Sequence, residues 1–335
     1  MNRKKICIRI LILGLVFCLY GCGKKSENTK VTLNEVAHSI FYAPQYVAIE
    51  NGYFEDAGID LTLVTGFGAD KTLTSLISGD ADIGFMGSES SVYAYNEGAS
   101  DYVVNFAQLT QRAGNFLVAR EQMEDFSWNK LKGKKVLGGR KGGMPEMVFE
   151  YILKKNQISP DTDLTIDQGI DFGSTAAAFA GGQGDYSIEF EPGATSLEQE
   201  GAGYVVASLG VDSGYVPYTA YCARKSFLAQ NPDVVQRFTD ALQQGLDYVN
   251  QHTPEEIARV IKPQFKENDL ETITAIVQRY AEQDTWKEHL IFEKESFDLL
   301  QDILESAGEL KSRVPYEKLI NTAYAEKSSL RSSTP

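Results

Sequence analysis

The sequence predicts an α/β protein of two lobes, each built on a mainly parallel sheet, joined by a hinge that the chain crosses twice. Three observations carry that prediction. Short apolar strands alternate with helix-length segments from residue 31 to residue 112, the pattern that βαβ units produce. The same plan restarts after a charged link over 120–135. Finally, Gly79-Asp80-Ala81-Asp82-Ile83-Gly84-Phe85 and Gly184-Asp185-Tyr186-Ser187-Ile188-Glu189-Phe190 form a weak internal repeat. Each copy is followed by a glycine-containing turn, a helix and a Tyr-Val-Val strand, at Tyr102 and Tyr204.

Residues 31–36 read as a strand. Pro44 opens a helix over 44–50, and Asn51-Gly52 ends it. Alternation gives a strand over 59–64. A helix over 71–77, a strand over 81–86, a helix over 89–97 and a strand over 102–108 follow. After the link come a strand over 135–137, a helix over 145–156, a strand over 164–168, a helix over 174–180 with Ser174 as its N-cap, and a strand over 185–190. Residues 218–224 read as a strand returning to the first lobe. Only helical stretches follow: 232–252, one opened by Pro254-Glu255-Glu256, 269–283 and 292–307. Lobe 1 is therefore expected to be 31–112 plus 220–330, and lobe 2 to be 115–216. The crossings fall near 112–116 and 216–221.

The length of 335 residues exceeds what one compact core usually holds. A composition 43% hydrophobic and 23% charged excludes disordered, collagen-like and polytopic membrane classes. Lys+Arg is 32 against Asp+Glu 46, a net charge of −14, the opposite of what a nucleic-acid partner requires.

Arg3, Lys4, Lys5 and Arg9 precede an apolar run over 10–19. Ten helical residues cover roughly 15 Å, about half a bilayer core, so the plan is that of a secretory signal. Leu19-Tyr20-Gly21-Cys22 resembles a bacterial lipobox, with Tyr20 in place of the usual small or branched residue. The expectation is a signal peptide over 1–21, a lipidated Cys22, a polar tether over 22–30, and an extracytoplasmic protein anchored to the membrane by its acyl chains. A retained N-terminal anchor is the alternative. Losing the four leading cations leaves 28 against 46, or −18. Of Cys7, Cys18, Cys22 and Cys222 only the last then stays unmodified, which leaves no disulfide and no thiolate metal site.

His38, His252 and His289 are scattered, with no His-x-x-x-His pair, no Gly-x-Ser-x-Gly elbow and no Gly-Lys-Ser/Thr loop. The glycine-rich stretch over 138–143 lacks dinucleotide spacing. No catalytic group, cofactor or metal is assigned. An extracytoplasmic enzyme using Glu189 or Glu191 is the alternative class.

In open α/β sheets ligands bind beyond the carboxyl ends of strands, where helix N-termini point. Five loops fit. In the first, Phe41 and Tyr42 precede a helix that starts after Ala43, a poor N-cap, so free amides are expected there, with Tyr46 one turn on. The second holds Phe67 between Gly66 and Gly68. The third is Gly87-Ser88-Glu89, with Ser88 a ready cap. The fourth is Arg140-Lys141-Gly142, two cations before a helix N-terminus. The fifth carries Glu189 and Glu191 on one face by period two, with Phe190 on the other. Gln108, at the end of the fourth strand, completes the candidate set.

At these residues the chain resembles the NMT1/THI5-like and nitrate/sulfonate/taurine substrate-binding proteins of ABC importers. Residues 43–60, with Gly52-Tyr53-Phe54 and Gly58-Ile59-Asp60, are similar to the family's opening. Leu76-Ile77-Ser78-Gly79-Asp80-Ala81-Asp82-Ile83-Gly84 is similar to its second signature. Leu131-Lys132-Gly133-Lys134-Lys135-Val136, Phe190-Glu191-Pro192-Gly193-Ala194 and Asn231-Pro232-Asp233-Val234-Val235 extend the likeness, which spans about 31–265. It implies a type II periplasmic-binding-protein-like fold that closes on a small solute and docks, as a monomer, to permease subunits served by a cytoplasmic ATPase. It implies no catalysis. Members that make the thiamine pyrimidine use a His and a Cys-rich segment, which the lone Cys222 argues against. Glu189, Glu191 and the nearby aromatics favour an amine-bearing heterocycle such as a thiamine pyrimidine precursor. Arg140 and Lys141 leave a sulfonate, taurine or nitrate-type anion as the alternative.

Overall fold

A computed structural model describes residues 28–170 and 173–332. The expected signal peptide and Cys22 lie outside them. Strand β1 (Thr29–Glu35) pairs in parallel with β2 (Ile59–Thr65), with Thr29 opposite Ile59 and Lys30 opposite Asp60. Thr29 and Lys30, assigned above to a tether, are thus the first rungs of the ladder. Both are polar, so hydropathy gave no sign of them.

Strands β3 (Ile83–Gly87) and β4 (Val103–Thr110) belong to the same sheet. A second sheet holds β5 (Asn115–Ala119), β6 (Lys135–Leu137), β7 (Thr165–Asp167), β8 (Tyr186–Phe190) and β9 (Tyr204–Ser208). Strand β10 (Thr219–Arg224) returns to the first. The orders are β2-β1-β3-β10-β4 and β7-β6-β8-β5-β9.

Four strands of each sheet run the same way, as expected of mainly parallel sheets, and one runs against them. Strand β10 runs antiparallel between β3 and β4, and β5 runs antiparallel between β8 and β9. The cause is the crossing itself. A chain that arrives from the other lobe enters at the hinge, beside the carboxyl ends of the parallel strands, and must run against them. Strand β5 had no counterpart among the elements expected from sequence; its Asn-Phe-Leu-Val-Ala is buried at every position.

The crossings over 111–114 and 209–218 brace each other. Val216 N–H donates to the Gln111 carbonyl at 2.9 Å, and the Thr110 and Thr219 hydroxyls meet at 2.6 Å. At Gly114 an added Cβ would stand 2.6 Å from the Phe41 ring, so only glycine passes there.

Helix ends follow local rules in part. Thr253 and Glu256 form a full capping box on Pro254–Ile261. Ser174 occupies the N-cap of Thr175–Ala180, but its side chain bonds no helix amide. The first helix begins at Ala43, behind a 3-10 turn over Ile40–Tyr42 whose Phe41 amide donates to Ser39 Oγ. That turn uses the amides expected to be free.

The helices Leu270–Glu282 and Lys294–Ser306 follow β10 in the chain yet touch the second lobe. Gln199 Nε2 donates to Thr272 Oγ1 at 2.8 Å, Ser208 Oγ to Gln283 Oε1 at 2.7 Å, and Lys154 Nζ to the Ser306 carbonyl. They form a strap across the two halves.

Candidate functional site

The carboxyl ends of β1, β2 and β3 face those of β6, β7 and β8 across a cleft of about 860 Å³, counted to its open mouth. The first lobe contributes Tyr42, Phe67, Gly87 and Glu89. The second contributes Arg140, Met144, Gln168, Ile170 and Phe190, and Tyr218 comes from the hinge. A second recess of about 760 Å³ adjoins it, with Pro145 and Phe190 in both linings. Its walls carry His38, Glu189, Glu191 and the glycines 138, 139, 173 and 193.

Glu89 dominates the electrostatics of the cleft. The residue is 1% exposed, and its Oε2 meets no hydrogen-bond donor. Burial pushes the carboxyl up to about 7, against the pull of its own helix-start amide, of Arg140, of the Met144 amide and of the Ser90 hydroxyl. Gly87 makes its position possible: a Cβ there would lie 2.1 Å from Glu89 Oε2. Tyr42 is 2% exposed, its ring packs edge-on to Phe85 at 4.5 Å, and its hydroxyl has no hydrogen-bond partner among the described residues. Phe67 stands at the mouth, 58% exposed, on a backbone with φ 55, a conformation rare for an aromatic residue. Across the mouth Arg140 Nε lies 3.9 Å from Asp70.

Of the residues expected in the site, the cleft gathers Tyr42, Phe67, Gly87, Glu89 and Arg140. Phe41 is wholly buried and packs against Tyr42, Phe190, Tyr218 and Tyr280, with centroids 5.1 to 5.8 Å away; it backs the cleft without lining it. Tyr46 donates to Glu35 Oε2 at 2.8 Å and accepts from the Ser39 amide at 3.2 Å, away from both recesses. Ser88 does not cap its helix; its hydroxyl donates to the Pro217 carbonyl at 2.6 Å and ties β3 to the hinge. Gln108 is buried and donates to the Thr110 carbonyl at 2.9 Å. Lys141 points out towards Glu309 at 3.8 Å. Gly142 joins the lobes instead of facing the cleft, accepting from the Tyr93 hydroxyl at 3.0 Å.

The two carboxylates of the fifth loop part company. Glu189 faces the second recess, accepting from the Thr175 and Ser187 hydroxyls, and burial lifts it to about 7. Glu191 also borders that recess, but its carboxylate is engaged on both oxygens. Arg279 Nη1 donates at 2.5 Å, the Thr195 amide at 2.9 Å and the Thr195 hydroxyl at 3.0 Å. Glu191, expected as a solute ligand, is the anchor of an ion pair across the lobes, with both oxygens already committed to protein donors. Met144, Gln168, Ile170, Phe190 and Tyr218 escaped the sequence reading as lining residues, although each lies beside a strand end or the hinge. Among the described residues no group of His, Cys, Asp and Glu is placed to hold a metal.

Comparison with known proteins sets these features in a family. The model of the family described as NMT1/THI5 like matches residues 40–257. YtlA of Bacillus subtilis (strain 168), named as a binding protein, is 45% identical over 313 residues, covering 93% of this chain and 94% of its own. The alkanesulfonate-binding protein SsuA from Xanthomonas axonopodis pv. citri, bound to MOPS, superposes with a TM-score of 0.72 at 17% identity over 89% of this chain and 100% of its own. The desulfurization enzyme DSZB superposes with a TM-score of 0.64 at 15% identity over 91% and 100%. The fold is periplasmic-binding-protein-like, of type II, and the chain belongs to the NMT1/THI5-like family.

Proposed function

We propose that the protein is the solute-binding subunit of an ABC-type importer, held outside the cell membrane by acyl chains on Cys22. It captures a small amine-bearing ring between its lobes and passes it, unaltered, to permease subunits. The observation that carries this reading is the cleft itself: six strand ends from two lobes meet around one buried carboxyl and the rings of Tyr42, Phe190 and Tyr218. Glu89 has an unmatched acceptor for an N–H cation. Aromatic walls favour a flat solute, each ring pair adding about 0.5–1.5 kcal/mol. A heterocycle of the thiamine-pyrimidine kind meets both demands. Hinge closure then buries the solute and aligns both lobe surfaces for docking.

A sulfonate-type anion is the second reading. Arg140 favours it as a cation on the lining, and SsuA shares the fold. Native mass spectrometry of the purified protein, followed by calorimetry with the co-purified molecule, tests the proposal. Recovery of a bound amine, unchanged after long incubation, is the expected result. Turnover would move the protein to the enzyme class that DSZB represents, and a bound sulfonate would select the second reading. Cys22→Ala should release the protein from the membrane fraction; retention there would sink the lipid anchor.

A further inference from the structure

Resting on the reading of an amine-bearing solute, we propose that the solute enters as a cation in exchange for a proton held on Glu89, so that binding releases acid. The geometry begins at Gly87. A Cβ there would stand 2.1 Å from Oε2 and 2.7 Å from Oε1 of Glu89, so the carboxyl is folded back over bare backbone at the end of β3. In that position Oε2 is sealed from water and meets no donor. An anion so placed is strongly disfavoured. Two partners relieve it: a proton on the carboxyl, or a cation seated in the cleft.

The groups around Glu89 leave the exchange to it alone. Tyr42 comes from the turn after β1, Tyr93 from the helix that Glu89 starts, and Tyr218 and Cys222 from the hinge and β10. All four are pushed up by burial first and by the Glu89 charge besides, so none yields a proton near neutrality. Arg140 opposes the Glu89 charge, as do the amides of Glu89 and Met144 and the Ser90 hydroxyl, but Arg140 sits half-exposed at the mouth, drawn towards Asp70, and burial still holds the carboxyl up at about 7. The step balances simply. The Glu89 O–H bond breaks, the proton leaves to buffer through the mouth, and the carboxylate accepts an N–H of the incoming ammonium. Gly87 acts as a positioning residue for this group.

The test has two arms on the mature protein. Infrared difference spectra of wild type against Glu89→Gln, without ligand, should show a neutral carboxyl band at pH 6 that is gone by pH 8. No such band at pH 6 overturns the proposal whether or not any probe binds. Gly87→Ala, which drives the carboxyl off its seat, should lose this titration while Glu89 remains; an unchanged band would also overturn it. In the second arm benzylamine, protonated throughout, is titrated calorimetrically in buffers of different ionisation heat. Affinity should be about tenfold weaker at pH 6 than at pH 8, with nearly one proton released per site at pH 6 and almost none at pH 8. Glu89→Gln should abolish the release. Benzylamine binding equally at both pH values, without proton release, ends the exchange but spares the amine reading. Binding of benzenesulfonate and not of benzylamine ends the amine reading itself.

Discussion

The ends of β3 and β8 occupy the same place in their sheets, the middle strand of five, and both follow a Gly-Asp turn. Each is followed within two residues by a glutamate that is 1% exposed. There the likeness stops. Glu89 keeps an unmatched oxygen beside the cleft, whereas Glu191 is bound by Arg279 and Thr195. Topology delivers a carboxyl to the same spot twice. A partner 88 residues further along decides which one is left for a guest. One strand end keeps a carboxyl oxygen unpaired; the other commits its carboxyl to an ion pair.

The sharpest way to break this contrast is Arg279→Ala. It strands the Glu191 charge in the interior, and removing one partner of a buried pair costs about 3–5 kcal/mol. Because Arg279 is partly exposed, urea unfolding should show the lower end of that range. A loss below about 1 kcal/mol, the value of a surface pair, would mean that Glu191 is no fastener.

Glu89→Gln should act the other way, on binding instead of folding. Affinity for benzylamine at pH 8 should fall by about 2 kcal/mol or more, roughly 30-fold, with no matching fall in unfolding free energy. An unaltered dissociation constant would remove Glu89 from recognition.

The pH dependence of stability sharpens the comparison further. Glu89 and Glu189 are both raised, from 4.5 to about 7. Between those values the folded state holds protons that the unfolded chain has lost, so stability falls as pH rises from about 4.5 to about 7. His38 adds the same sign. Although burial lowers it, the bonds to Glu35 and the Gln264 carbonyl raise it overall, and its contribution fades as pH climbs past its folded value. The solute-free protein should therefore unfold about 1–3 kcal/mol more easily at pH 8 than at pH 5.5, and Glu89→Gln should flatten part of that slope. A melting temperature that rises over the same interval would contradict both assignments.

Phe67→Gly is the mildest change. Glycine suits the left-handed backbone there, so stability should hold or rise by up to about 1 kcal/mol. If Phe67 shuts the mouth over the guest, stopped-flow release of benzylamine should quicken several-fold. Unchanged release would leave Phe67 a bystander.

The architecture was legible because alternation and turn residues are local. The strand at 135–137 and the helices starting at Pro232 and Pro254 follow such signals closely. The mainly parallel direction of the sheets was legible too, but the one reversed strand in each was not, because β5 and β10 turn only on account of where the hinge sits. Strand β5 also escaped notice, since five buried residues beside a charged link carry no alternation. The loops at the strand ends could be read from the same local pattern. The side chains that face inward could not: Tyr46 turns to Glu35, Ser88 to Pro217 and Glu191 to Arg279, choices set by residues near and far in the chain.

The strap over 270–306 gives the jaw a clasp on its far side. Parting the halves means undoing Glu191 and Glu198 from Arg279, Ser208 from Gln283, and Lys154 from the Ser306 carbonyl in a single movement. Contacts that must break together make the two halves a single mechanical unit, so loosening any one of them eases every movement of one half against the other.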